Sequence, residues 1–249
     1  MDPTDLPLLA ACYATGDEGW WILTRRAAAV ALIAKSPVAG QVKSRMQPPL
    51  SPVQAADLAG RMLLDVHAQA AATGADVWCS YAGPPQPLRR LLPAAARLLR
   101  QRGADFAERL AAAQADLFAF GYGAVVLYGA DCPTVGTAAL ARALDLVRRA
   151  PNRVVLGPAI DGGYTLLASA RPTPHMFDRV EMSTEHVLAD TLARAAAAGT
   201  PVTLLAPRHD LDTAADLLAA LDAGQLAQAP RTRAVAERLA GASLRQCEL

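Results

Sequence analysis

The chain has 249 residues, 53% of them apolar and 19% charged, so it can bury the core of one large α/β domain and is not a disordered chain. Twenty-four Lys and Arg against 23 Asp and Glu leave a net charge of +1, which argues against a nucleic-acid partner held by bulk electrostatics. Aromatic residues, at 5%, are too few for an obvious stacking platform, and the longest strongly apolar run, residues 27–34, is far short of the roughly 20 needed to span a bilayer.

Residues 1–26 read as an N-terminal extension without sustained period. It opens on acidic Met1-Asp2-Pro3-Thr4-Asp5, where an export signal needs positive charge. Trp20 and Trp21 are expected to pack on the core. Cys12, Cys79, Cys132 and Cys247 are scattered without metal or disulfide spacing. Together these features predict a reduced, cytoplasmic protein with no membrane partner.

From residue 27 to 249 the chain reads as a single domain. Residues 27–34 form a buried strand, and 35–50 a loop rich in Pro and Gly. Ser51-Pro52 supplies an N-cap and N1 proline to a helix whose apolar face runs through Ala56, Ala59, Leu63, Val66 and Ala70. Gly74 stops it. A strand at 75–79, a short helix and a weak strand near Leu98-Leu99 follow, then a helix over 105–120 and an emphatic strand over 123–128. Next come a helix over 137–149, strands at 153–156 and 164–168, a helix over 184–198 ended by Gly199, a strand at 202–205, and final helices from Thr213. Strands separated by helices of ten or more residues predict an α/β fold with a mostly parallel sheet and helices on both faces. Ligands bind such sheets at the carboxyl ends of the strands, which directs attention to the loops after Ala34 and Tyr128.

The first loop carries Lys35, Lys43 and Arg45 around Gly40. Cations and free backbone N–H groups there suit a polyphosphate, although the sequence lacks a Walker A loop. The alternative is a solvated loop. The second loop, Gly129-Ala130-Asp131-Cys132-Pro133, places a carboxylate at a strand end. Mg²⁺ commonly takes one or two carboxylates together with phosphates and waters, and a turn cap is the competing explanation. His209-Asp210-Leu211-Asp212-Thr213 precedes a helix and reads first as a cap. Asp161-Gly162-Gly163-Tyr164 reads either as a tight hairpin or as bare backbone that a substrate approaches. Ser183-Thr184, with Glu185, reads as a helix start. Arg109, beside Asp105 and Glu108, has ion pairing as its default. No histidine sits at triad spacing and no G-x-S-x-G occurs, so hydrolase chemistry is unsupported.

Taken in order, A-K-S-P-V-A-G-Q-V-K-S-R-M, G-A-D-C-P-T, G-P-A-I-D-G-G-Y and D-L-D-T-A-A-D-L resemble a bacterial family of the nucleotide-diphospho-sugar transferase superfamily, often labelled as glycosyltransferases. The likeness spans residues 27–217. A more distant one is to 2-phospholactate and molybdenum-cofactor guanylyltransferases. The resemblance implies a three-layer, Rossmann-like GT-A fold and Mg²⁺ or Mn²⁺ as cofactor, with Asp131 and Asp212 as metal ligands. By the resemblance Lys35, Lys43 and Arg45 match the phosphate-binding loop; from their own local chemistry Gly40, Arg109, Gly162 and Gly163 are further expected to bind the nucleotide, and Lys43, Asp131 and Asp161 to serve catalysis. Ala107, where the family usually has glycine, and Ala214-Ala215, in place of Pro-Glu, depart from its pattern.

The expected substrates are a nucleotide or nucleotide sugar and a small-molecule acceptor; oligomeric state stays open. The three cations suit a triphosphate, which favours nucleotidylyl transfer. Glycosyl transfer from a nucleotide sugar is the alternative, with Asp161 as the one candidate base. A non-catalytic nucleotide binder is the third reading.

Overall fold

The computed structural model describes residues 28–247, with side chains through residue 241. The expected extension at 1–26, with Trp20 and Trp21, lies outside the described residues. Seven strands form one sheet: β1 Ala29–Lys35, β2 Asp76–Ala82, β3 Arg97–Arg100, β4 Val125–Gly129, β5 Val154–Pro158, β6 Tyr164–Ser169 and β7 Val202–Leu204. Their order is β3-β2-β1-β4-β6-β5-β7. All neighbouring pairs are parallel except those of β6, which runs antiparallel to β4 and β5. That reversal follows from the short turn at 159–163, because only a crossover joins parallel strands. The sheet is the mostly parallel α/β sheet expected from the sequence.

Alternate strand residues feed two cores. On one face Val30, Leu32 and Val126 meet α1 (Pro52–Ala71), α2 (Gln86–Leu91) and α4 (Gly136–Arg149). On the other, Ala31, Val125 and Leu127 meet α3 (Phe106–Ala119) and α5 (Val187–Ala197). A third cluster packs α6 (Ala214–Asp222) and α7 (Pro230–Cys247) against the outer side of α1. Of the face expected for α1, Leu63, Val66 and Ala70 meet the sheet, and the outer packing adds a second buried face. Ala56 and Ala59 are only half-buried, while Ala55, Leu58 and Met62 are sealed beneath α6 and α7. A helix covered on two sides does not show a single stripe.

Two buried polar residues of α1 fix its neighbours. Asp65 accepts from Thr232 N and Thr232 Oγ1, both at 2.8 Å, and from Arg231 Nη1 at 3.1 Å, which caps the start of α7. Gln69 donates to Pro133 O at 2.8 Å and Gln228 O at 3.0 Å, and accepts from Tyr128 Oη at 2.6 Å. Tyr128 also lies 2.8 Å from Cys132 O. The loop after β4 is thereby held from both sides. The expected helix start at Thr184 is corrected: α5 begins at Val187, with His186 as its N-cap. Ser183, at φ 69°, breaks the helical path, and Thr184 Oγ1 accepts from His186 N at 3.3 Å in a local turn instead.

Candidate functional site

The carboxyl ends of β1 and β4, the antiparallel β5–β6 turn and the stretch before α6 enclose a cleft of about 770 Å³. Lys43 stands in its floor with a left-handed backbone, φ 49° and ψ 42°, an uncommon conformation for a residue with a side chain. Its ammonium lies 3.0 Å from Asp131 Oδ2 and 2.8 Å from Asp212 Oδ1, with the side chain only 9% exposed. Burial disfavours the Lys43 charge, but the Asp131 and Asp212 carboxylates outweigh it and hold the ammonium above its ordinary range. Desolvation likewise works against the Asp131 charge, and Lys43 overcomes it to keep that carboxyl below its usual range. Arg45 Nη1 sits 3.5 Å from Asp212 Oδ2, and its side chain is 71% exposed at the mouth.

Asp131 reaches this point because of local chain chemistry. Ala130 N donates to Ile33 O at 3.1 Å, and Leu211 N donates to Asp131 O at 3.1 Å, joining the loop to β1 and to the stretch before α6. A Cβ on Gly129 would lie 2.7 Å from Cys132 Sγ and 3.0 Å from Asp131 Oδ1, so glycine permits the fold-back. Asp212 follows from the capping box that Thr213 and Asp216 make at the start of α6. The cap belongs to Thr213, which leaves the Asp212 side chain for the cleft.

The structure thus brings Lys35, Lys43, Arg45, Arg109, Asp131, Asp161, Gly163 and Asp212 to one cleft lining. Gly40 stands on the exposed loop, outside that lining. Gly162 has a structural occupant: at φ 93°, its absent Cβ would fall 2.1 Å from Glu185 O. Its carbonyl accepts from Leu188 N at 2.9 Å. The bare backbone there admits the chain before α5, which joins the cleft wall through Ser183, Thr184 and Glu185.

Three further cleft residues carry no distinctive sequence signal. Asp210 hides inside a segment that reads as a cap. Its carboxyl is pushed up to about 7, first by burial and then by the nearby charges of Asp161, Asp131 and Asp212. Tyr164 begins β6, where its hydroxyl is buried with no hydrogen-bond partner among the described residues. Gln101 follows β3 and lines the cleft beside Phe106.

Among the described residues no three His, Cys, Asp or Glu side chains form a group that holds a metal by itself. What the cleft offers is two carboxylates converging on one cation, the Lys43 ammonium. That donor set fits a hard divalent ion whose remaining ligands are phosphate oxygens and waters.

The fold recurs in solved structures. A candidate nucleotide-diphospho-sugar transferase from Desulfovibrio desulfuricans G20 superposes with a TM-score of 0.80 at 26% identity, over 88% of this chain and 97% of that one. The chain has the GT-A-like fold of the nucleotide-diphospho-sugar transferases. Residues 63–184 match the family described as "Uncharacterized protein conserved in bacteria (DUF2064)". That GT-A-like fold is shared more remotely by a CMP:2-keto-3-deoxy-manno-octonic acid synthetase complexed with CTP, with a TM-score of 0.53 at 13% identity over 82% of this chain and 99% of that one. Rv0371c from Mycobacterium tuberculosis H37Rv gives 0.50 at 21% identity, over 78% and 96%. No curated protein matches. No helix among the described residues is long and apolar enough to cross a membrane.

Proposed function

We propose that the chain is a nucleotide-dependent transferase that moves a nucleotidylyl group from a nucleoside triphosphate to a small acceptor. The observation that carries this reading is the Lys43 ammonium set between Asp131 and Asp212 with Arg45 beside them at the mouth. In the reaction an acceptor oxygen bonds to the α-phosphorus, the bond from that phosphorus to the bridging oxygen breaks, and pyrophosphate leaves with the electron pair. Asp131 and Asp212 would hold Mg²⁺ or Mn²⁺, which supplies neutralisation of phosphate charge. Lys43 and Arg45 contact the departing phosphates, where preorganised cations stabilise charge as it develops. Asp161, exposed in the same cleft lining, is the carboxylate assigned to take the acceptor proton. Lys35, Arg109 and Gly163 complete the nucleotide side.

Glycosyl transfer is the second reading, favoured by the 26% identity to the D. desulfuricans protein. There an acceptor oxygen bonds to the sugar's anomeric carbon as the bond from that carbon to the diphosphate breaks, the diphosphate leaves with the electron pair, and the same cations stabilise it. Calorimetric titration with nucleoside triphosphates and nucleotide sugars, each with and without Mg²⁺, separates the two. Nucleotidylyl transfer requires metal-dependent triphosphate binding and pyrophosphate release when acceptor candidates are added. Preference for a nucleotide sugar over every triphosphate would overturn it.

A further inference from the structure

The two carboxylates in the floor of the cleft are held together without help from the Lys43 side chain. Leu211 N donates to Asp131 O at 3.1 Å, which ties the backbone before Asp212 to the loop after β4. Leu211 is fully buried in the cluster that α6 and α7 form against α1, and Met46 is sealed in the same cluster. The Lys43 backbone is pinned as well: its carbonyl accepts from Met46 N at 3.0 Å, and Val42 beside it is buried. Apolar packing and main-chain hydrogen bonds therefore build the frame. The ammonium sits in that frame on a flexible four-carbon stem, so it can leave while the frame stays.

Each carboxylate gives the ammonium one oxygen, Asp131 Oδ2 at 3.0 Å and Asp212 Oδ1 at 2.8 Å. The other Asp212 oxygen lies 3.5 Å from Arg45 Nη1. Two anions are thus met by two cations. A free divalent ion approaching this point finds a site already neutral, with an ammonium at its centre that repels it. To enter, it must break two ion pairs of a lysine that is only 9% exposed. A divalent ion carried on a polyphosphate changes that balance. The phosphate oxygens offer Lys43 and Arg45 new anionic partners, and the carboxylates are released to the metal as the cations transfer.

We propose that Lys43 is a resident counter-ion that closes the Asp131–Asp212 pair to free divalent ions, so that the ligand the site takes is a metal–polyphosphate complex bound as one unit. Arg45, 71% exposed at the mouth, meets the incoming phosphates first, and Lys43 follows from the floor. This inference rests on the nucleotide-binding reading above and adds the order in which its parts bind.

The test follows Mn²⁺ binding to the full chain by electron paramagnetic resonance, with the ion alone and with inorganic tripolyphosphate or a nucleoside triphosphate. It compares the natural chain with Lys43→Met, which keeps a long side chain and removes its charge. Lys43→Met should bind free Mn²⁺ roughly tenfold or more tightly than the natural chain, because two ion pairs no longer have to be broken. It should also gain less from added polyphosphate. In the natural chain, the side-chain nitrogen resonance of the Lys43 ammonium, read in isotope-labelled protein, should hold its position with Mg²⁺ alone and shift when polyphosphate joins it. Equal free-metal affinity in the two folded proteins overturns the proposal, and so does a Lys43 resonance that Mg²⁺ alone displaces. Should Lys43→Met fail to fold, the resonance decides by itself. Equal affinities with polyphosphate-dependent Mn²⁺ binding retained would leave the nucleotide reading standing. No Mn²⁺ binding to either protein, with or without polyphosphate, would remove both.

Discussion

Lys43 concentrates the chemistry at the residue scale. A left-handed backbone and a nearly buried ammonium are tolerated together because two carboxylates meet the charge. Lys43→Ala removes charge stabilisation from the departing phosphates, so turnover should fall by roughly 10²–10³-fold, read from pyrophosphate release. Triphosphate affinity should drop far more than monophosphate affinity in the same protein. Asp210 carries the opposite electrostatic sign. Burial and three neighbouring aspartates raise its carboxyl from the usual range to about 7, so the folded state binds that proton more tightly than the unfolded state. Its stabilisation is full below the unfolded value and lost as pH rises through about 7. Asp210→Asn should therefore raise the metal-free melting temperature more at pH 8 than at pH 5, measured by calorimetry. An equal change at both pH values would contradict the assignment. Tyr164→Phe removes a buried hydroxyl that has no partner among the described residues, and it should leave stability unchanged or slightly higher.

At the scale of elements, two joints hold the cleft walls in register. Asp65, on α1, caps the start of α7 through Thr232 and Arg231. Asp65→Ala leaves those donors without their acceptor and should cost about 2–3 kcal/mol, seen as a lower denaturant midpoint with an unchanged slope. Gly162→Ala is the sharper test of the wall at 183–187, because the added methyl would lie 2.1 Å from Glu185 O. It should loosen that segment and speed amide exchange at Leu188, whose N–H bonds to Gly162 O. Alternating apolar runs separated by caps and glycines made the strands and most helices readable from sequence. On helix α1 the expected face holds at Leu63, Val66 and Ala70, whereas the second buried face at Ala55, Leu58 and Met62 exists because α6 and α7 cover its outer side, which periodicity cannot foresee. The start of α5 was misread because Ser183-Thr184-Glu185 has cap composition, yet Ser183 adopts φ 69°.

Across the whole molecule, the fold collects residues more than 160 positions apart onto one cation, as the Lys43–Asp212 pair shows. Strand-end logic pointed to Lys43 and Asp131, since loops at the carboxyl ends of parallel strands face one crevice. Asp212 was visible mainly through motif resemblance, because a carboxylate before a helix is ordinarily a cap. Gln101, Phe106 and Asp210 were not legible. Their place in the cleft depends on where β3, α3 and the stretch before α6 dock, and no local pattern encodes that. In the proposed function Asp131 and Asp212 together hold a divalent ion on the nucleotide's phosphates. The most direct measurement is electron paramagnetic resonance of Mn²⁺ titrated with protein and a nucleoside triphosphate, comparing the natural chain with Asp131→Asn and Asp212→Asn. The natural chain is expected to form a ternary Mn²⁺–nucleotide complex that either substitution abolishes while the melting transition persists. Ternary binding of equal strength in all three proteins would contradict it.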